Sequence, residues 1–294
     1  MLTCDATGIL DTPAQEQEYL NLGCCNRYCL GWTNVDCVSH SSAVISHDLS
    51  KGIPFKDASF QVVYHSHLLE HFSKNCGQRL LLECFRVLKP GGIIRVAVPD
   101  LERIVREYLN AFEDAARGTR RDNYDWMMIE LFDQTAREST GGEMGKYLSK
   151  PDMPNRDFII RRIGRDAFTP PSESRPARMA TRLSNALHTR LERARDLIYK
   201  LILGNRFHAL DVGRFRLGGE VHLWMYDRYS LSTALEGVGF RNATARTATN
   251  SLIPAWSSYN LDVDPVGTIY KPDSLYMEAV KPVTSDSRAV GRNT

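Results

Sequence analysis

Short apolar runs separated by turns fill the first third of the chain. "EYLNL" at 18–22, a run ending in "VD" at 35–36 and "VISHDL" at 44–49 read as three short strands, and "SFQVVYHS" at 59–66 as a longer one. "NCGQRLLLECFRVLK" at 75–89 switches to helical spacing through Leu80, Leu81, Leu82, Cys84, Phe85, Val87 and Leu88. Pro90-Gly91-Gly92 then predicts a helix stop and a turn, and "IIRVAVPD" at 93–100 a buried strand. Strands separated by turns and a helix, with no hairpin signal, predict a parallel α/β sheet.

The pattern changes after Asp100. Residues 101–118 and 123–138 read as helices, "STGGEMGKYLSKPDMPN" as loop, and "FTPPSESRP" at 168–176 as an exposed linker. "ARMATRLSNALHTRLERARDLIYKLIL" at 177–203 reads as a basic amphipathic helix, so residues 101–220 are expected to form a helical insertion. The α/β pattern returns near Asp227. "YSLSTALEGVGF" predicts a helix capped at Ser230 and ending at Gly237 or Gly239. "FRNATARTAT" and "DSLYMEAVK" at 273–281 predict the last two strands, joined by the long loop "IPAWSSYNLDVDPVGTIYKPD". The expected division is therefore 1–100, 101–220, 221–281 and a disordered tail at 282–294, with no internal repeat.

Composition narrows the function. Of 294 residues, 43% are hydrophobic and 24% charged, as in ordinary globular proteins, and the net charge of +2 does not argue for nucleic acid. No run approaches the roughly 20 apolar residues of a membrane span, and the first residues lack the pattern of a signal peptide, so a cytoplasmic location is expected. The basic helix at 177–203 is ordinarily a solvated face; contact with a membrane surface or an anionic lipid-linked substrate is the alternative.

The seven cysteines all lie in the first third, and their odd number forbids complete pairing. Cys25 and Cys29 could supply one half of a structural zinc site, but no second pair follows, although His65, His67 and His71 could complete a site in space. A redox C-x-x-C is absent, and Trp32 stands where a radical iron–sulfur site would need its third cysteine. No metal is expected on these grounds. Position suggests another use for "LGCCNRYC": it follows the first strand, where a doubly wound sheet places its cofactor loop. Gly23 allows close backbone approach, Cys24 and Cys25 are small, and Asp36 ends the next strand, where a carboxylate can accept both ribose hydroxyls. The missing G-x-G-x-x-G disfavours a nicotinamide cofactor.

Taken as an ordered set, "YLNLGCC…GWTNVD", "SHDLSKGIPFKDASFQVVYHSHLLEHF", "ECFRVLKPGGIIRVAVPD" and "HLWMYDRYSLSTALEGVGF" resemble the class I S-adenosylmethionine-dependent methyltransferases, in their type 11 branch. The resemblance covers about 18–100 and 220–281. It implies a doubly wound, Rossmann-like seven-stranded sheet with a final antiparallel strand, here with a large helical insertion after the fifth strand. It implies S-adenosyl-L-methionine as cofactor, with Gly23, Cys24 and Cys25 under its methionine part and Asp36 on the ribose. Asp48 and Leu49 would sit beside the adenine, and His65 and Ser66 would line the methyl-donor side. Two positions depart from the family's pattern: Cys25, commonly glycine, and Gln61, commonly aspartate. Cysteine is tolerable at 25 if its φ is negative.

The implied chemistry is in-line displacement at a sulfonium methyl, for which the protein aligns the acceptor and excludes water. A hydroxyl acceptor also needs a base, and His65, His67, His71, Asp100 and His222 are candidates by position. His67 and His222 are the stronger choices, whereas His71 is expected to pack on the sheet. Trp224, Tyr226 and Tyr229 could face an acceptor, the insertion could set specificity, and the loop before the last strand could close over the same mouth. The expected function is methyl transfer to a hydroxyl or amine of a small molecule or glycan. The alternative is a catalytically silent regulatory module that binds S-adenosylmethionine or S-adenosylhomocysteine. A nucleic-acid acceptor is disfavoured.

Overall fold

A computed structural model describes residues 18–39, 41–168 and 195–283. The expected linker beyond Phe168, the tail beyond Val283 and all but 195–203 of the expected basic helix lie outside these residues; 195–203 is helical. Seven strands form one sheet in the order β3-β2-β1-β4-β5-β7-β6. They are β1 (Tyr19–Leu22), β2 (Thr33–Asp36), β3 (Val44–Ser46), β4 (Phe60–Ser66), β5 (Leu88–Pro99), β6 (Arg241–Arg246) and β7 (Ser274–Val280). The first five pair in parallel, and β7 runs antiparallel to both β5 and β6. This is the sheet expected from the sequence, final antiparallel strand included.

Alternation along each strand assigns the faces. One face carries Leu20, Leu22, Val35, Val63, Ile94 and Val96 into the main core, packed with Leu81 and Cys84 of α1 (Lys74–Val87) and Leu231 and Leu235 of the helix Arg228–Gly237. That last helix starts earlier than its sequence predicts. Asp227 is the cap: its carboxylate accepts from Ser230 N at 2.8 Å, while Ser230 Oγ accepts from Asp227 N at 3.0 Å, so Ser230 is the reciprocal partner of a capping box.

Pro90-Gly91-Gly92 also behaves differently from its expected role as a turn before a strand. Leu88 already pairs with Phe60, and the register then jumps to Ile93 opposite Val62, so the three residues form a bulge inside β5. A Cβ on Gly92 would come within 2.9 Å of Gln61 O, so the bulge requires glycine there. β3 ends sooner than "VISHDL" suggests, because Asp48 caps the helical turn Leu49–Lys51, accepting from Ser50 N at 3.0 Å.

Between β5 and β6 lie α2 (Leu101–Ala116), α3 (Arg121–Ala136), α4 (Gly142–Leu148) and α5 (Arg156–Ile163), with a separate core around Trp126, Met127 and Ile159. α4 falls within the stretch that reads as loop. Its first turn is anchored from outside: Asp133 of α3 accepts from Glu143 N at 2.6 Å and Met144 N at 3.3 Å. Beyond residues 195–203 the chain forms α6 (Phe207–Arg216) and then α7, the helix Arg228–Gly237.

The opposite face of the sheet is covered by the β6–β7 loop. Ile253, Trp256 and Leu261 pack on Trp32, Val62 and Tyr64, with ring centroids 5.0 Å apart for Tyr64–Trp256 and 5.1 Å for Trp32–Tyr259. A buried guanidinium fastens the loop: Arg95 of β5 donates to Asp262 at 3.0 Å, to Glu278 at 2.8 Å and to the Thr247 carbonyl at 2.8 Å. The β1–β2 crossover, residues 23–32, contains no helix, although parallel strands are usually joined by one. Asparagine amides take up its carbonyls instead. Asn21 donates to Arg27 O at 3.1 Å, and Asn34 to Cys29 O and Trp32 O, each at 2.9 Å.

Candidate functional site

β1 has β2 on one side and β4 on the other, so the strand order reverses at β1/β4 and opens a crevice at the carboxyl ends of these strands. Residues 23–27 fill its rim. Gly23 has φ +63°, and a Cβ there would meet Leu68 Cδ1 at 2.9 Å, so both backbone and space demand glycine. Gly23 N donates to Val35 O at 2.8 Å, and Cys25 N to Asp36 Oδ2 at 2.7 Å. The loop is thus tied to the end of β2, and Asp36 is held beside it. Cys25 has φ +46°, so the condition of negative φ under which cysteine was expected to be tolerable there is not met. Burial, reinforced by the charge of Asp36, pushes the Cys24 thiol up to about 12, which makes it a packing residue rather than a nucleophile.

A cleft of about 300 Å³ adjoins this loop, and its wall includes Gly23, Cys24, Cys25, Arg27, Ser66 and Lys271. The sequence reading therefore places four of its cofactor residues on the cleft: Gly23, Cys24, Cys25 and Ser66. Asp36 touches the loop from behind through Cys25 N. His65 does not join Ser66. Strand alternation turns it to the other face, where it is fully buried, and neither ring nitrogen has a hydrogen-bond partner among the described residues. Asp48 is occupied as the exposed cap of the turn after β3, and Leu49 is buried in the main core; neither lines this cleft. Asp100 caps α2, accepting from Arg103 N at 3.2 Å.

The candidate bases His67 and His222 lie beyond β4 in a second polar cluster with Glu70 and His71. His67 Nδ1 is 3.2 Å from Glu70 Oε1, and its Nε2 is 2.8 Å from Ser274 Oγ. The His71 and His222 rings meet edge to face at 4.9 Å. Burial pushes His67 down to about 4 and His222 to about 3, so both are neutral at pH 7. His71, expected to be a packing residue, belongs to this cluster. Tyr226 does not face an acceptor: it is buried against Gly77, where a Cβ would meet its hydroxyl at 2.9 Å, whereas Trp224 and Tyr229 are exposed.

Sequence reasoning missed Arg27, Tyr270, Lys271 and Asp262 on the cleft. The expectation that the loop before the last strand could close over the mouth was their one signal: it brings Asp262, Tyr270 and Lys271 to the wall. Arg27 ion-pairs with Asp166 and stands 3.3 Å over the Tyr270 ring. Burial lowers the Lys271 ammonium from its usual range.

The donor set suits a nucleoside–amino-acid cofactor. Gly23 leaves room for a close approach, Asp36 offers a carboxylate at the end of β2, and Arg27 and Lys271 offer positive charge. Among the described residues, no helix is long and apolar enough to cross a membrane. The family model described as "Methyltransferase domain" matches residues 31–96, from the end of the loop into β5. No curated protein matches the sequence. Solved structures similar to the chain include a SAM-dependent methyltransferase from Archaeoglobus fulgidus, at 12% identity over 91% of this chain and 87% of that one, with a TM-score of 0.35. Another is the complex of the Haloferax volcanii Trm112 methyltransferase activator with a methyltransferase, at 11% identity over 92% and 85%, TM-score 0.37. A third is the CurJ carbon methyltransferase, at 10% identity over 92% and 50%, TM-score 0.36. The domain match over residues 31–96 and the strand order β3-β2-β1-β4-β5-β7-β6 around it support a class I S-adenosylmethionine-dependent methyltransferase domain, with S-adenosylmethionine as its cofactor.

Proposed function

We propose that the chain catalyses methyl transfer to a hydroxyl or amine of a small molecule or glycan. The observation that carries this reading is the convergence of the Gly23–Cys25 loop, Asp36 and Ser66 at the carboxyl ends of β1, β2 and β4, beside a cleft of about 300 Å³. When bound, S-adenosylmethionine supplies an activated methyl group. Asp36 would accept hydrogen bonds from its ribose hydroxyls, and Arg27 and Lys271 would attract its carboxylate. The protein's remaining task is to orient the acceptor and exclude water. His222, kept neutral, would accept a hydrogen bond from the acceptor, and His67 would do so on release of its Nε2 from Ser274. The helices between β5 and α7 enter at the same sheet edge and would form the acceptor wall, with Trp224 exposed where the chain returns.

The positive φ of Cys25 favours a second reading, a module that binds the cofactor without turnover. Calorimetric titration of S-adenosylhomocysteine, with Asp36→Ala as control, tests the shared premise. The expected result is micromolar binding that the control loses; a well-folded protein that does not bind overturns both readings. Incubation with labelled S-adenosylmethionine and hydroxylated or aminated acceptors then separates them, because only the enzyme yields labelled product.

A further inference from the structure

We propose that Glu70, His71 and His222 form a binding site for a first-row divalent cation of the zinc type. One ligand atom from each residue lies within 4.8 Å of the other two. Tetrahedral zinc with bonds of about 2.0–2.1 Å needs its ligand atoms about 3.3 Å apart, a closure that side-chain rotation can provide. Two imidazoles and a carboxylate are a set that selects such ions over magnesium or calcium.

The second observation is the unmet bonding capacity inside the cluster. Glu70 is fully buried, and apart from His67 Nδ1, 3.2 Å from Oε1, its carboxylate has no hydrogen-bond partner among the described residues. His222 Nδ1 is buried and has no partner among the described residues. A buried carboxylate with one donor for its two oxygens is costly, and a bound cation reduces that cost. His71 Nδ1 lies 3.3 Å from the Val221 carbonyl; donation there fixes the tautomer and leaves Nε2 free to bind a metal.

The backbone holds these ligands together although they come from distant parts of the chain. Leu223 N donates to Glu70 O at 2.7 Å and Trp224 N to the same oxygen at 3.2 Å, while His222 N donates to Gln134 O at 2.9 Å. The segment bearing His222 is thereby clamped to the turn Leu69–His71 that follows β4. This turn begins a few residues beyond Ser66, which lines the cleft. A cation here would bind an acceptor hydroxyl and lower its pKa, with His222 then serving as a ligand rather than as a base. That use rests on the methyltransferase reading; the cation site does not.

The test uses the full chain, stripped with a chelator and titrated with Co²⁺ as a spectroscopic probe and with Zn²⁺ by competition. One equivalent is expected to bind with a nitrogen–oxygen ligand spectrum. His222→Gln and Glu70→Gln should each weaken binding about a hundredfold or more, with circular dichroism showing both folded and S-adenosylhomocysteine titration showing the cofactor loop intact. Zn²⁺ should raise the melting temperature of the parent chain but not of Glu70→Gln. The proposal is overturned by absence of binding to the parent chain, by binding that survives His222→Gln, or by a sulfur charge-transfer band that places the ion on cysteines. Loss of cofactor binding with intact cation binding would instead sink the methyltransferase reading alone.

Discussion

Arg95→Met probes the polar fastening beneath the β6–β7 loop. The guanidinium is fully buried and bonds to Asp262 at 3.0 Å, Glu278 at 2.8 Å, Thr247 O at 2.8 Å and Asn250 O at 3.1 Å, 4.5 Å from the Trp256 ring centroid. Methionine roughly preserves volume but takes the guanidinium from two loop carbonyls and two buried carboxylates, although Asp262 keeps the neutral donors Tyr64 and Trp256 and Glu278 keeps Arg246 at 3.4 Å. Removing one partner of a buried charge network costs about 3–5 kcal/mol, or roughly 6–20 °C in melting temperature for a chain of this size. Burial already raises the Asp262 pKa with Arg95 present, and without the arginine it rises further. The folded variant then holds protons that the unfolded chain releases, so its stability falls as pH rises above about 4, and the defect is larger at pH 8 than at pH 5. Urea denaturation followed by tryptophan fluorescence measures this, since Trp32 and Trp256 sit in the affected cluster. Adding Asp262→Asn and Glu278→Gln to Arg95→Met should recover half or more of the loss. A single-variant loss below about 1 kcal/mol, or a triple variant no better than the single one, would refute the reasoning.

Gly23→Ala forces a side chain onto φ +63° and into Leu68; it should lose about 1–3 kcal/mol and weaken S-adenosylhomocysteine binding at least tenfold, as denaturation and calorimetry would register. At Cys25, with φ +46°, thermal melts should rank glycine equal to or above cysteine and valine at least about 1 kcal/mol below it; a stable valine variant would show that the left-handed loop conformation is not required. Burial pushes His65 down to about 4, so the unfolded chain takes up a proton that the folded one refuses. Stability should therefore be fully present above pH 6.5 and fall as pH drops toward 4, by on the order of 3 kcal/mol for this group, and His65→Leu should flatten that slope in a pH series of urea titrations.

Strand and helix positions were legible because burial on a sheet imposes a strict period, as in "FQVVYHS", and because Gly23 and Asp36 stand at fixed places relative to β1 and β2. Placement within the site was harder to read. His65 and Ser66 are neighbours in sequence but lie on opposite faces, so an assignment by proximity alone takes in one residue too many. α4 was invisible because its first turn is anchored by Asp133, a residue in another helix. Pro90-Gly91-Gly92 carries the signature of a turn, and only pairing with β4 and β7 turns it into a bulge. The His71–His222 contact brings together residues that no local spacing rule relates.

The β6–β7 loop that covers the sheet also sets an order of events during synthesis. Tyr19 and Trp32 emerge from the ribosome long before Trp256 and Tyr259, which cover them. β7, inserted between β5 and β6, comes later still. Until then the nascent chain exposes the aromatic face of β1 and β4 and an unpaired edge on β5. Such long-range closure slows folding and leaves the intermediate open to aggregation. A chain ending before residue 247 should therefore need a chaperone to remain dispersed and should fail to retain the cofactor, even though Gly23, Cys25 and Asp36 have long been in place.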